Sequence, residues 1–60
     1  MNRLVGDWVH VPAWGVAGIV VAQREPCYGT EDAIEVLLME DPETEVARWY
    51  HLEPGEYAIE

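Results

Sequence analysis

The sequence predicts an all-β domain, five short strands rolled into a small barrel. Three observations carry that expectation. Most of the apolar segments follow the period of two that places side chains on alternate faces of a strand, rather than the 3.6 of a helix. The run Val16–Val21 is rich in β-branched residues, which pack well on a pleated surface. Proline and glycine recur at short intervals, at Pro12–Gly15, Pro26–Gly29, Pro42 and Pro54–Gly55, and cut the chain into lengths too short for helices.

Taken in order, Trp8-Val-His-Val11 alternates, with Val9 and Val11 on one face and Trp8 and His10 on the other. Pro12 has no amide donor and ends that strand. Pro12-Ala-Trp-Gly15 reads as a turn in which Gly15 is free to adopt a positive φ. Val16–Arg24 resumes the extended pattern, and Gly18 within it marks a bulge or a close backbone approach. The polar stretch 23–32 is the longest loop. Residues 30–40 admit two readings. As a helix, Thr30 is the cap and Ile34, Leu37 and Leu38 share a face. As a strand, Ile34, Val36 and Leu38 point one way while Glu35, Leu37 and Met39 point the other. The strand is preferred, because Asp41-Pro-Glu-Thr44 is a good turn and Glu45–His51 follows as an extended partner. Leu52–Gly55 is a further turn, and Tyr57–Ile59 a last short strand. No helix longer than about two turns is expected.

Sixty residues form one domain, residues 1–60, with a small core; a chain this short buries only about 60% of its unfolded surface. No apolar run approaches the ~20 residues of a membrane helix. Met1–Asp7 lacks the charged start and apolar stretch of a signal sequence. Cys27 is alone, so an internal disulfide is excluded and a reducing, cytoplasmic setting is expected. Twelve acids against three arginines and no lysine give a net charge of −9. Such a surface repels phosphate backbones and membranes of like charge, and suits a basic patch on another protein.

Within Val5–Ile19 the order Gly6-Asp7-x-Val9, then Pro12, then Gly15-Val16 and Ile19, resembles the opening of the RNA-polymerase-interacting domain of CarD-type regulators and the transcription-repair coupling factor. That resemblance implies an SH3-like, Tudor-like barrel and a role in binding RNA polymerase. Trp14 stands where that pattern usually has histidine, and Ala17 where it has glycine. The same elements also recur in ribosomal KOW modules and in the plasmid-borne type of dihydrofolate reductase. The reductase's pore stretch Val-Gln-Ile-Tyr is here Ala47-Arg-Trp-Tyr50, and an acidic surface repels its anionic ligands, so that reading is rejected.

Residues for catalysis are sparse. His10 and His51 sit among aromatics in strands, where packing and hydrogen bonding are the ordinary roles. Cys27 has Arg24 as its nearby cation with Glu25 beside it, which does not make a reactive thiolate. Glu40, Asp41, Glu43 and Glu45 lack the glycine and spacing of a calcium loop. No catalytic, cofactor or metal residue is assigned. The aromatics say more. Trp8, Trp14, Trp49, Tyr28, Tyr50 and Tyr57 exceed what so small a core encloses. Trp49 is placed in the core; Trp8 and Trp14 are expected to be partly exposed and adjacent, and with His10 to form the partner-binding surface. The expected function is a non-enzymatic protein-interaction module for a partner with a basic patch, with RNA polymerase the partner that the resemblance implies. Two alternatives stay open: an acidic protein that mimics DNA, and a homo-oligomeric structural module.

Overall fold

The structure, a computed structural model, describes residues 4–60; the reading of Met1–Asp7 therefore falls partly outside the described residues. Five strands form: β1 (Trp8–Val11), β2 (Val16–Arg24), β3 (Ile34–Asp41), β4 (Val46–Leu52) and β5 (Ala58–Ile59). They make one antiparallel sheet in the order β4-β3-β2-β1-β5. β1 to β4 run as a meander, and β5 returns to pair with β1 through Val9 opposite Ile59 and His10 opposite Ala58. This is the small all-β, barrel-like fold that the sequence predicts. Residues 34–41 are strand, as the hairpin argument requires.

Local chemistry sets each connection. After β1, Pro12 starts a three-residue 3-10 turn, Pro12–Trp14, and Gly15 closes it at φ 65° and ψ 27° with its amide on the Pro12 carbonyl at 3.1 Å. At the β3–β4 hairpin, the Asp41 carboxylate accepts from the Glu43 amide at 2.9 Å, and the Asp41 carbonyl accepts from the Glu45 amide at 3.1 Å. These bonds hold the predicted turn against its solvated acids. Gly15 and Gly55 both adopt positive φ, 65° and 88°, and a Cβ at either would meet nothing within 4 Å. Backbone strain alone then decides the effect of substitution. Gly15→Val, with a β-branched residue in the left-handed region, should lower the urea midpoint more than Gly55→Ala; equal midpoints would show that the first turn yields freely.

The core lies on one face of the curled sheet. Val9, Val11, Val20, Val36, Leu38 and Leu52 are fully buried there, with Leu4 beside them and Ile34, Tyr50 and Tyr57 packed against the cluster. The register explains the set, since directly opposed residues in antiparallel strands share a face. Val9 opposes Gly18 and Val11 opposes Val16; Val20 opposes Leu38; Val36 opposes Tyr50; Ile34 opposes Leu52. Two bulges keep this alternation in phase. The register of β2 shifts between Val20 and Ala22, and that of β3 between Met39 and Asp41. Without the first shift Ala22, not Gln23, would point inward. Gln23 instead turns in and accepts the Leu4 amide at 2.8 Å, closing one end of the core.

Gly18 is a close approach, one of the two roles its position suggests. A Cβ there would lie 2.6 Å from the Met39 carbonyl oxygen. The neighbouring bulge sits three residues on, at Val21, which is left exposed.

Candidate interaction surface

The strand parity that fills the core also builds a second apolar face. Trp8 opposes Ile19, Ile19 opposes Met39, and Met39 opposes Ala47, so one row of apolar side chains crosses four strands on the outer side. The next row runs Ala22, Leu37, Trp49. Most of these residues are half-buried, because they shield one another, and Trp49 is 40% exposed. Among the described residues, all five strands belong to this one sheet and the 3-10 turn is the one other regular element, so no further strand or helix is laid across this face. An antiparallel sheet ordinarily turns polar residues to water on its open side. Here the open side is apolar.

Charge borders the face at both ends. Beyond the Met39 row lies the hairpin, with Glu40, Asp41, Glu43 and Glu45 all exposed. Beyond the Leu37 row lies a charged row in which Arg24 opposes Glu35 and Glu35 opposes His51. Arg24 Nε donates to Glu35 Oε1 at 2.7 Å, and its guanidinium lies 3.9 Å from the centre of the Trp49 ring. Trp49 is thus an outer-face residue capped by a cation, not the core residue expected; its register opposite Leu37 sends it outward.

His51 is the hub of this end. Its Nε2 lies 2.8 Å from Glu53 Oε2 and its Nδ1 3.7 Å from Glu35 Oε2, while Tyr28 stacks on the ring at 4.1 Å and 10°. Glu53 also accepts from the Thr30 hydroxyl at 2.6 Å. The group staples the 25–32 loop to the end of β4. With both ring nitrogens facing carboxylates and one ring face covered, His51 is fitted for holding a loop rather than for proton transfer to a substrate. The Arg24 hydrogen bond holds the Glu35 carboxyl below the ordinary value of 4.5, and the Thr30 and His51 hydrogen bonds do the same for Glu53. Carboxyls lowered in the folded state contribute stability that is full above the unfolded value. That stability is lost as pH falls through the lowered folded value. The contribution of these two carboxyls should therefore be withdrawn as pH falls below 4.5, and Glu53→Gln should flatten the dependence of the urea midpoint on pH there. An unchanged slope would remove Glu53 from the staple.

Of the residues expected to bind a partner, Trp8 and His10 lie on the outer side of β1, both half-buried. Trp14 does not join them. It is 55% exposed, and its ring meets Tyr50, 5.3 Å away and tilted by 42°. Tyr50 belongs to the core-facing set, and its hydroxyl donates to Glu40 at 2.8 Å. Desolvation, with the Glu40 bond, pushes the Tyr50 hydroxyl above its ordinary value, so it stays a donor at neutral pH. The two indoles therefore lie on opposite sides of the sheet: the 3-10 turn carries Trp14 towards Tyr50 on the edge strand β4 instead of back over β1. Ile19, Leu37 and Met39 take its place beside Trp8. Their signal was present in the sequence, in a strand whose two faces are both apolar.

His10 and His51 stand on β1 and β4 and form no pair, and Cys27 is exposed. Among the described residues, no group of three or more His, Cys, Asp or Glu side chains could hold a metal ion. No helix of the described residues is long and apolar enough to cross a membrane. No family model, no curated protein and no solved structure matches the chain.

Proposed function

We propose that the chain is a non-enzymatic protein-interaction module that docks the outer face of its sheet on a partner with an apolar centre and a basic border. The observation that carries this reading is the uncovered row Trp8, Ile19, Met39 and Ala47, with Leu37 and Trp49 behind it. Contiguous apolar surface bordered by charge is the usual composition of an interface, in which the centre supplies affinity and the rim sets orientation. A second copy of this chain is the poorer occupant, because it would bring one net charge of −9 against another. RNA polymerase or another transcription component is the partner to test first, on the strength of Gly6, Asp7, Val9, Pro12, Gly15, Val16 and Ile19.

The experiment immobilises the chain and measures binding of purified RNA polymerase from the same organism across a salt series. Docking through an apolar centre should weaken by less than about tenfold between roughly 0.05 and 0.5 M salt. A fall of about a thousandfold would favour the acidic DNA mimic instead. Trp8→Ala should cost about 1–3 kcal/mol of binding with the fold retained. Sedimentation at micromolar concentration should show a monomer; a stable dimer lost on Leu37→Asp would favour the oligomeric reading.

A further inference from the structure

A second surface, separate from the outer face, has the features of a binding groove. It opens between the 25–33 loop and the segment 54–59, beside the end of β2 and the start of β3, and encloses about 640 Å³. That volume lies in the range of about 300–1,000 Å³ typical of ligand sites. Its floor is apolar: Leu4 and Ala33, both buried, with Ile34, Tyr57 and the exposed Ile59. Its rim carries Glu25, Glu31 and Asp32.

None of these three carboxylates enters an ion pair or a side-chain hydrogen bond among the described residues, whose acid partners in ion pairs are Glu35 and Glu53. Arg24 also lines the groove, but its guanidinium is turned to Glu35 and Trp49 on the outer side. Among the described residues, the groove thus joins an apolar floor to a rim of negative charge without a paired cation. Each property asks for a different part of one ligand. An aliphatic side chain covers the floor, and cationic side chains beside it meet the rim. Among the described residues no group of three or more His, Cys, Asp or Glu side chains, the rim acids included, could hold a metal ion there. Ile59 adds a strand edge: β5 pairs with β1 on one side, and its other edge carries no strand among the described residues. An extended segment laid there gains backbone hydrogen bonds as well.

We propose that this groove takes an extended peptide segment in which arginine or lysine alternates with leucine-like residues. The inference does not depend on the outer face, and the two fail separately. The test uses the whole chain, labelled with ¹⁵N, and follows its amide resonances during titration. The probes are acetyl-Arg-Leu-Arg-Leu-Arg-amide, the same peptide with glutamate for arginine, and spermidine. The arginine peptide should move the amides of Ala33, Ile34, Tyr57 and Ile59 saturably, and leave Ile19, Leu37 and Met39 in place. The double variant Glu31→Gln, Asp32→Asn should bind it about five- to tenfold more weakly. Ile59→Asp, at an exposed position, should also weaken binding although it adds negative charge, because it removes apolar floor. The glutamate peptide should not bind, and spermidine should bind at least about tenfold more weakly than the arginine peptide. Equal binding of spermidine, tighter binding by Ile59→Asp, shifts confined to the outer face, or no saturable shift would each overturn the proposal.

Discussion

Leu38→Ala should leave most molecules unfolded at room temperature. Leu38 is 0% exposed at the centre of β3, opposite Val20 on one side and Arg48 on the other, and belongs to the single buried cluster. Truncating such a residue costs about 2–5 kcal/mol, the transfer of the lost methyl groups plus the cavity they leave. A domain below about 70 residues rarely holds more than about 3–5 kcal/mol in all. The loss is therefore comparable with the whole stability, and no disulfide offsets it, since Cys27 is free. Urea unfolding followed by tryptophan fluorescence should show little or no native baseline. A midpoint near that of the parent chain would mean that the core is centred elsewhere.

Gly18→Ala should be nearly as damaging, although it adds one methyl group. The new Cβ would stand 2.6 Å from the Met39 carbonyl oxygen and 2.9 Å from its carbon. Both are backbone atoms of the paired strand, so neither can swing aside; β2 and β3 must part or the sheet must flatten. Overpacking of this kind costs about 1–3 kcal/mol, and more when backbone must move. Gly15→Ala, in open space, is the control. It carries only the strain of a positive φ, on the order of 1 kcal/mol. A larger loss at Gly15 than at Gly18 would contradict the assigned register of β2 on β3.

The strands were legible because turn chemistry is local. Pro12 and Gly15 end one strand and start the next, and Asp41-Pro-Glu-Thr44 separates β3 from β4. The inward set Val9, Val11, Val36 and Leu38 followed from the period of two. Trp49 was misplaced for a physical reason. In Arg48-Trp-Tyr-His51 every side chain has an apolar body and a polar tip, so alternation gives no contrast between faces, and only the pairing with Leu37 decides. The bulges at Val21 and Glu40 leave no mark in composition, yet the first sets which of Ala22 and Gln23 points inward. The staple of Glu35, His51 and Glu53 joins β3 to the chain beyond β4, and the Tyr28 and Thr30 contacts bring in a distant loop. Such long-range pairings were beyond any local reading. The outer face of β1 was half legible. Trp8 and His10 face outward as their spacing requires, whereas Trp14 is carried away by a 3-10 turn whose direction no residue pattern announces.

The central claim is that the sheet has two apolar faces, one for the fold and one for a partner. Adjacent leucines on β3 separate them, since Leu38 is 0% exposed and Leu37 lies on the outer side. The decisive measurement compares Leu37→Asp with Leu38→Asp by melting curve and, for the variant that folds, by affinity for RNA polymerase. Leu38→Asp should be unfolded, because it buries a charge without a partner. Leu37→Asp should melt cooperatively within about 4–8 °C of the parent, the shift expected of about 1 kcal/mol in a domain this size. Its affinity should fall at least about tenfold, as for a residue at the centre of an interface. A Leu37→Asp chain that is unfolded, or one that folds and binds as tightly as the parent, would contradict the account.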